Sequence, residues 1–186
     1  MPISVKRPRS FPLPVAPLRA LITRALALER CRAGDIGVVI ANDALLRDLN
    51  RGFRGIDRAT DVLSFLYDEA EEAAPGEACT GSLGGSRGGS RGDSRGNNAR
   101  VVDGDVVISL DRLLDQARRY RVTPGRELAR LVIHGTLHLA GLDHDREADR
   151  RRMRSRERKA LREGRDAIRM LEMTLRCGRS SGSAAG

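Results

Sequence analysis

Three histidines, which are all the histidines of the chain, lie within eleven residues at positions 134, 138 and 144. If residues 124–140 form a helix, His134 and His138 stand four residues apart and share one face. Gly141 then permits a tight turn that returns the chain so that His144 approaches the other two imidazoles. Three converging nitrogens suit one zinc ion per chain with an open fourth position, the arrangement of a catalytic site.

The spacing of the histidines matters because an isolated histidine is usually an ordinary core or surface residue without a metal. The pattern H-x3-H-x5-H with glycine before the third histidine is that of the metzincin proteases. Those enzymes need a glutamate directly after the first histidine as general base, and Gly135 occupies that position. The sequence therefore predicts a metal centre that serves another hydrolysis, and a zinc-activated water can attack a phosphodiester as well as a carbonyl.

The histidine segment, HGTLHLAGLDH, resembles the motif of the YbeY endoribonucleases, a family of rRNA maturation factors. The residues that match this motif are His134, Gly135, Leu137, His138, Leu139, Gly141, Asp143 and His144. Leu142 stands where the family usually has tyrosine. The resemblance covers roughly residues 36–66 and 104–160. It includes a third block, GDVVIS at residues 104–109, which is predicted to be a strand that ends in a helix N-cap at Ser109.

A second block, FRGIDRATDVLSF at residues 53–65, also resembles the family. Ala59 and Leu66 replace two prolines of the family pattern. The resemblance places Arg54 in the active-site cleft, where a guanidinium grips phosphate or offsets transition-state charge. A purely structural alternative is that Arg54 pairs with Asp57 or Asp61. Asp143 is a candidate for the general base, and a supporting partner of a ligand histidine is its alternative role.

The resemblance implies a zinc-dependent, single-strand-specific endoribonuclease. The implied process is rRNA maturation, including 3′-end processing of 16S rRNA, and ribosome quality control. The implied partners are single-stranded rRNA, small-subunit or other ribosomal proteins and a ribosome-assembly GTPase. Two alternatives stay open: a zinc hydrolase of another specificity, such as a peptidase, and a ribosome-associated RNA-binding protein with little catalysis. Imidazole ligands suit several transition metals, so the physiological ion is open as well.

The composition is compatible with binding of a polyanion but does not establish such binding. The net charge is +9 over 186 residues, almost all of the basic residues are arginine, and a general bias toward arginine would give the same charge. Cys31, Cys79 and Cys177 are far apart, so we expect no disulfide framework and a reducing, cytoplasmic setting. No stretch approaches the ~20 apolar residues of a membrane span.

Hydrophobic periodicity predicts an α+β fold, close to α/β, in which helices pack on a small mixed sheet. We expect a helix from Leu18 to about residue 33, closed by Gly34, and strands at 36–41, 62–66 and 104–109, with a further short strand near residues 2–7. A helix capped by Asn42 or Asp43 should pack through Leu45, Leu46, Leu49 and Phe53. A helix continues from the third strand to about Tyr120. Thr123 and Pro124 should then begin the histidine helix.

Residues 1–175 are expected to form one domain. Residues 68–103, acidic and then rich in Gly, Ser and Arg, are interpreted as a disordered insertion. Its part 84–100 resembles RNA-binding RGG repeats, and a passive, expanded loop is the alternative that the composition favours. One last helix should run from Asp145 to about residue 175, weakened at Gly164, with a flexible tail at 176–186. The arginines at the start of that helix form either an RNA-facing surface or a solvated face. They are Arg150, Arg151, Arg152, Arg154, Arg156 and Arg158.

Overall fold

The helices and strands are given by a computed structural model that describes residues 3–8, 11–67, 99–142 and 146–180. They follow one another as β1 (Ile3–Lys6), α1 (Val15–Leu28), β2 (Cys31–Ala41), α2 (Asp43–Arg54), β3 (Val62–Leu66), β4 (Arg100–Ser109), α3 (Leu110–Arg119), α4 (Pro124–Leu139), α5 (Glu147–Glu163) and α6 (Arg165–Ser180). In these ranges no helix is long and apolar enough to cross a membrane.

The four strands form a mixed sheet in the order β1-β2-β4-β3. β1, β2 and β4 are parallel, whereas β3 runs antiparallel to β4 at the edge. Because side chains alternate along a strand, Val106 and Ile108 face a large core formed with the helices, while Val107 faces a smaller one with Leu46 and Leu63. The predicted α+β class with a small mixed sheet is confirmed.

Helix α4 is the centre of the fold. Eleven of its sixteen residues are buried, and it contacts β3, β4 and the helices α1, α3, α5 and α6. Its start is the predicted one, because the Thr123 hydroxyl accepts a hydrogen bond from the Arg126 N–H and Pro124 occupies the first turn. Asn42 and Ser109 cap α2 and α3 in the same way. The most buried helix therefore carries the histidines.

The predicted end of the first helix at residue 33 is wrong. α1 ends at Leu28, Arg30 adopts a left-handed conformation with φ of 56°, and β2 begins at Cys31. Gly34 lies within that strand, at an irregularity in its register with β4. The local pattern missed this because residues 31–33 are held by pairing with a strand almost seventy positions later.

The same pairing corrects the boundary of the insertion. β4 begins at Arg100, so residues 100–103 are ordered strand and not part of the insertion predicted to reach residue 103. Val102 is buried in the core opposite Ala33. The remaining prediction for the insertion concerns residues 68–98, which lie outside the described ranges.

Two further predictions for helices need correction. The segment after residue 145 forms two helices because α5 ends at Gly164, where a β-carbon would lie 2.6 Å from Cδ2 of Leu21. α6 continues to Ser180, five residues beyond the predicted end, and residues 181–186 are outside the described part. In α2, Leu46 and Asn50 are buried, but Phe53 is 67% exposed, so the predicted apolar face is narrower than expected.

Candidate metal centre

The imidazoles of His134 and His138 meet on one side of α4. Their Nε2 atoms lie 3.2 Å apart, and both side chains are partly exposed. The two rings stand at 73° to each other, with centroids 4.8 Å apart. The predicted sharing of one helix face is therefore confirmed for these two residues.

The spacing of these two nitrogens fits a bound metal ion. In tetrahedral coordination with Zn–N distances of about 2.0–2.1 Å, two ligand nitrogens stand roughly 3.3–3.4 Å apart. The observed 3.2 Å between the Nε2 atoms is close to this value. Neutral imidazole is a common ligand for zinc and for other transition ions. The donor pair is thus suitable for such an ion.

Glu157 on α5 supports His134 from behind. Its Oε2 lies 3.1 Å from Nδ1 of His134, and its side chain is 17% exposed. A carboxylate that accepts from Nδ1–H leaves the lone pair of a neutral imidazole on Nε2, the atom that faces His138. In the sequence Glu157 stands as one acid among the arginines at the start of α5. The sequence feature that could have identified Glu157 is its position on the buried side of α5, four residues after Met153 and three before Ala160.

Arg130 is a second charged group close to the histidine helix. Arg130, one helical turn before His134, donates two hydrogen bonds to the buried carboxylate of Glu127, at 2.9 and 2.6 Å, and lies 3.7 Å from Asp61. Burial lowers the pKa of Arg130, but the bond to Glu127 and the charges of Glu127, Glu157 and Asp61 outweigh it and leave that pKa above its ordinary value. Arg130 is therefore a fixed positive charge that holds the acids around the histidine helix in place.

Gly135 explains how α4 sits so close to the sheet. A β-carbon at this position would lie 2.6 Å from Cγ1 of Val106 and 3.0 Å from Oγ of Ser64. The Ser64 hydroxyl donates to the Gly135 carbonyl at 3.0 Å, which connects the DVLSF block directly to the histidine helix. Residue 135 thus faces the sheet and not the histidine side, so a glutamate base of the protease type has no room there.

Arg54 is the last residue of α2 and is exposed, followed by Gly55 in a left-handed conformation with φ of 68°. α2 packs on the sheet face opposite the large core. Within the described ranges Arg54 makes no ion pair, since Asp57 is bound by Arg47 at 2.6 and 2.7 Å and Asp61 accepts from Gln116 at 3.2 Å. The structural alternative for Arg54 is not seen, and its role at the site stays a prediction.

The remaining two predicted site residues, Asp143 and His144, lie outside the described ranges. Over the residues that are described, no group of three potential metal ligands comes together, which is expected when the third histidine of the set is not among them. The complete three-histidine site and the role of Asp143 stay predictions.

Comparison with known proteins identifies the family of the chain. Residues 14–165 match the family model described as endoribonuclease YbeY. The chain is similar to the endoribonuclease YbeY of Pelotomaculum thermopropionicum, with 37% identity over 77% of this chain and 84% of the relative. It is similar also to the endoribonuclease YbeY of Chloroflexus aggregans, with 42% identity over 74% of this chain and 82% of that one.

A solved structure supports the fold. The solution structure of TM1509 from Thermotoga maritima superposes with a TM-score of 0.51 and covers 91% of this chain and 93% of its own, at 23% identity. The family resemblance drawn from the histidine and DVLSF blocks is confirmed by the family match, which spans both. The chain belongs to the endoribonuclease YbeY family.

Proposed function

We propose that this protein is a zinc-dependent endoribonuclease that cleaves single-stranded RNA during rRNA maturation, including the 3′ end of 16S rRNA, and in ribosome quality control. The observation that carries the proposal is the pair of Nε2 atoms 3.2 Å apart, with Glu157 behind His134. The names of the relatives supply the reaction class. His134, His138 and His144 would hold one zinc ion.

The chain's own residues divide the work. Glu157 orients His134 by accepting from Nδ1, and the bound ion would supply Lewis-acid activation of water and stabilise charge on a phosphoryl oxygen. Arg54, exposed and without an ion pair among the described residues, is available to bind phosphate with its planar guanidinium. Asp143 would serve as general base or as a hydrogen-bond partner of a ligand histidine.

The geometry at residue 135 disfavours the peptidase alternative, because that position packs against Val106 and leaves no space for a base. The further proposals are rRNA as the substrate, ribosomal proteins and an assembly GTPase as partners, and the cytoplasm as the setting. An RNA-binding protein with little catalysis is distinguished from the enzyme by experiment.

The test is cleavage of an end-labelled, single-stranded rRNA fragment by the purified full-length chain. The same assay is run with a chelator, with zinc added back, and with His138→Ala. Arg32→Ala, an exposed substitution on β2, is the control variant. Circular dichroism checks that each variant is folded.

We expect cleavage by the wild type and by Arg32→Ala, loss with chelator, recovery with zinc, and no cleavage by His138→Ala. Cleavage that survives in folded His138→Ala would contradict the assignment of this histidine to the metal. RNA binding without cleavage under every metal condition would favour the binding protein.

A further inference from the structure

Five arginines line a groove of about 890 Å³ at the end of the molecule where α4 begins, bounded also by α1, α5 and α6. They are Arg24, Arg126, Arg162, Arg165 and Arg169. Along α4, Arg126 precedes His138 by twelve residues, or about 18 Å of helix. The groove is therefore separate from the histidine site.

The acids in the groove are largely engaged with other groups. Glu163 lies 3.3 Å from Arg24 and 4.0 Å from Lys159, and Glu172 accepts from the Thr123 hydroxyl. Asp166 is the third acid of the lining. Arg126, Arg162 and Arg169 have exposed side chains and no ion pair within the described ranges. Three guanidinium groups thus remain available for an anionic ligand.

A second cavity connects the groove with the neighbourhood of the histidines. It has a volume of about 470 Å³, and Arg126 lines both cavities. Its wall includes Arg130 and Asp61, and Arg130 is within electrostatic reach of Glu157, the partner of His134. Arg130, one turn before His134 on α4, therefore lies between the second cavity and the histidine site.

Tyr120 stands on this connecting surface. It lines the second cavity, and 58% of its side chain is exposed. The guanidinium of Arg119 lies 6.0 Å from the centre of its ring. An exposed aromatic ring between arginines is the arrangement on which proteins stack the bases of single strands, whatever their sequence.

The arginines of α5 lie on two sides of the helix and have different roles. Arg152 and Arg156 turn to the buried carboxylate of Glu29, at 2.5 and 2.6 Å, and so belong to the fold. On the other flank, Arg154, Arg158 and Arg162 follow at four-residue intervals, each step advancing about 6 Å along the helix. Arg158 follows Glu157 directly, and Arg162 lines the groove. This row extends from the histidine partner to the groove.

From these contacts we propose that the arginine groove is a second RNA-binding site, which holds the backbone of the strand whose scissile bond lies at the histidines. The strand passes Tyr120 and Arg126 on its way between the two places. Guanidinium groups bind successive phosphates bidentately, and Tyr120 stacks a base. The inference rests on the proposed nuclease function for the placement of the scissile bond at the histidines. The affinity of the groove for RNA, however, is measured without cleavage.

An acidic protein is the competing ligand. The groove offers it little apolar anchorage, since Ile168, the apolar residue of the lining, is only 6% exposed. Stable protein interfaces depend on buried aromatic or aliphatic anchors, whereas backbone recognition of a single strand needs charge and a stacking surface. The chemistry of the groove therefore favours RNA.

The test compares two triple variants of the full-length chain with the same loss of charge. The groove variant is Arg126→Gln, Arg162→Gln, Arg169→Gln, and the control is Lys6→Gln, Arg19→Gln, Arg32→Gln, whose residues are exposed elsewhere. Affinity is measured by fluorescence anisotropy, with chelator present, for unstructured RNAs of about 6 and 24 nucleotides, which fall within and beyond the site sizes of single-strand binding folds. Tyr120→Ala and Tyr120→Phe are measured beside them, and poly-glutamate serves as competitor.

We expect the groove variant to bind the long RNA at least tenfold more weakly than the control variant, with little difference for the short RNA. The slope of the logarithm of the binding constant against the logarithm of the salt concentration should be smaller in magnitude by about 2. This follows because each of the three lost phosphate contacts on a single strand contributes about 0.7. Tyr120→Ala should weaken binding of the long RNA and Tyr120→Phe should restore it. Equal affinities of the two triple variants for the long RNA would overturn the proposal.

Competition decides the ligand class. If poly-glutamate displaces the long RNA from the wild type as effectively as unlabelled RNA does, and binds the groove variant more weakly to the same extent, the groove is assigned to acidic proteins. This result would contradict the proposal. Cleavage of the short RNA, assayed separately with zinc, should be the same for the groove and control variants. If the wild type binds the long RNA more tightly than the short one but cleaves neither, the nuclease function is refuted. The RNA binding of the groove is then still supported.

Discussion

Glu157 and His134 are 23 positions apart in the chain, and their side chains meet at 3.1 Å between Oε2 and Nδ1. The contact joins α5 to α4, so the orientation of a candidate metal ligand depends on how two helices pack. It also determines which nitrogen of His134 faces His138. A site on one helix is in this way held by a second helix.

Substitution of Glu157 should weaken zinc binding. Removing a carboxylate that orients a ligand histidine typically lowers metal affinity 10–100-fold, and we expect a loss of this size for Glu157→Ala. Glu157→Gln should retain part of the affinity because its amide oxygen still accepts from Nδ1–H. The measurement is competition for zinc with a chromophoric chelator. Glu147→Gln, on the same helix and in an exposed pair with Arg154 at 3.4 Å, is the control. An unchanged affinity in Glu157→Ala would refute the supporting role.

Gly135→Ala should destabilise the fold. The added methyl group would stand 2.6 Å from Cγ1 of Val106, and forcing such a group into a packed core typically costs about 1–3 kcal/mol. Urea unfolding measures the change. Gly52→Ala is the matched control because Gly52 lies inside α2 with nothing within 4 Å of an added β-carbon, and it should stabilise by roughly 0.5–1 kcal/mol. Equal effects of the two substitutions would show that the close approach of α4 to β4 is not required.

The features that the sequence predicted well are those determined locally. His134 and His138 share a face because a helix returns to the same side every four residues, whatever it packs against. The caps at Asn42, Ser109 and Thr123 were likewise legible, since each acts within three residues of itself. The pairing of the two histidines was therefore predictable from sequence.

The features that were missed depend on distant partners. The start of β2 at Cys31 and of β4 at Arg100 follows from their pairing with each other, and neither segment has a strand pattern strong enough to show this alone. Glu157 became a partner of His134 only through the packing of α5 on α4. Arg152 and Arg156 belong to the fold because Glu29 is nearby, which no periodicity on α5 reveals.

Glu29→Ala should destabilise the protein without affecting RNA cleavage. The Glu29 side chain is 6% exposed and lies within 2.5 and 2.6 Å of Arg152 and Arg156. Because the side chains of Arg152 and Arg156 are 59% and 35% exposed, water can hydrate them when Glu29 is removed, and we expect a cost of roughly 1 kcal/mol, the usual net contribution of such a bond. Thermal unfolding and cleavage are measured together, with Glu147→Ala as the exposed-pair control. A variant that is as stable as Glu147→Ala would show that this pair contributes nothing to the fold.

Tyr67 should titrate well above an ordinary tyrosine. Its hydroxyl donates to Asp105 at 2.5 Å, and this bond, with burial and the charge of Asp105, raises the pKa of Tyr67 to about 12. Because the folded pKa exceeds the unfolded value of about 10, the bond's contribution to stability is complete below pH ~10 and is lost as the pH rises toward the folded value. Tyrosinate absorbance against pH, in a Tyr120→Phe background that leaves one tyrosine of two, should show the raised pKa. Asp105→Asn should lower it, whereas Asp115→Asn, at an exposed position, should leave it in place; a pKa unaffected by Asp105→Asn would disprove the assignment.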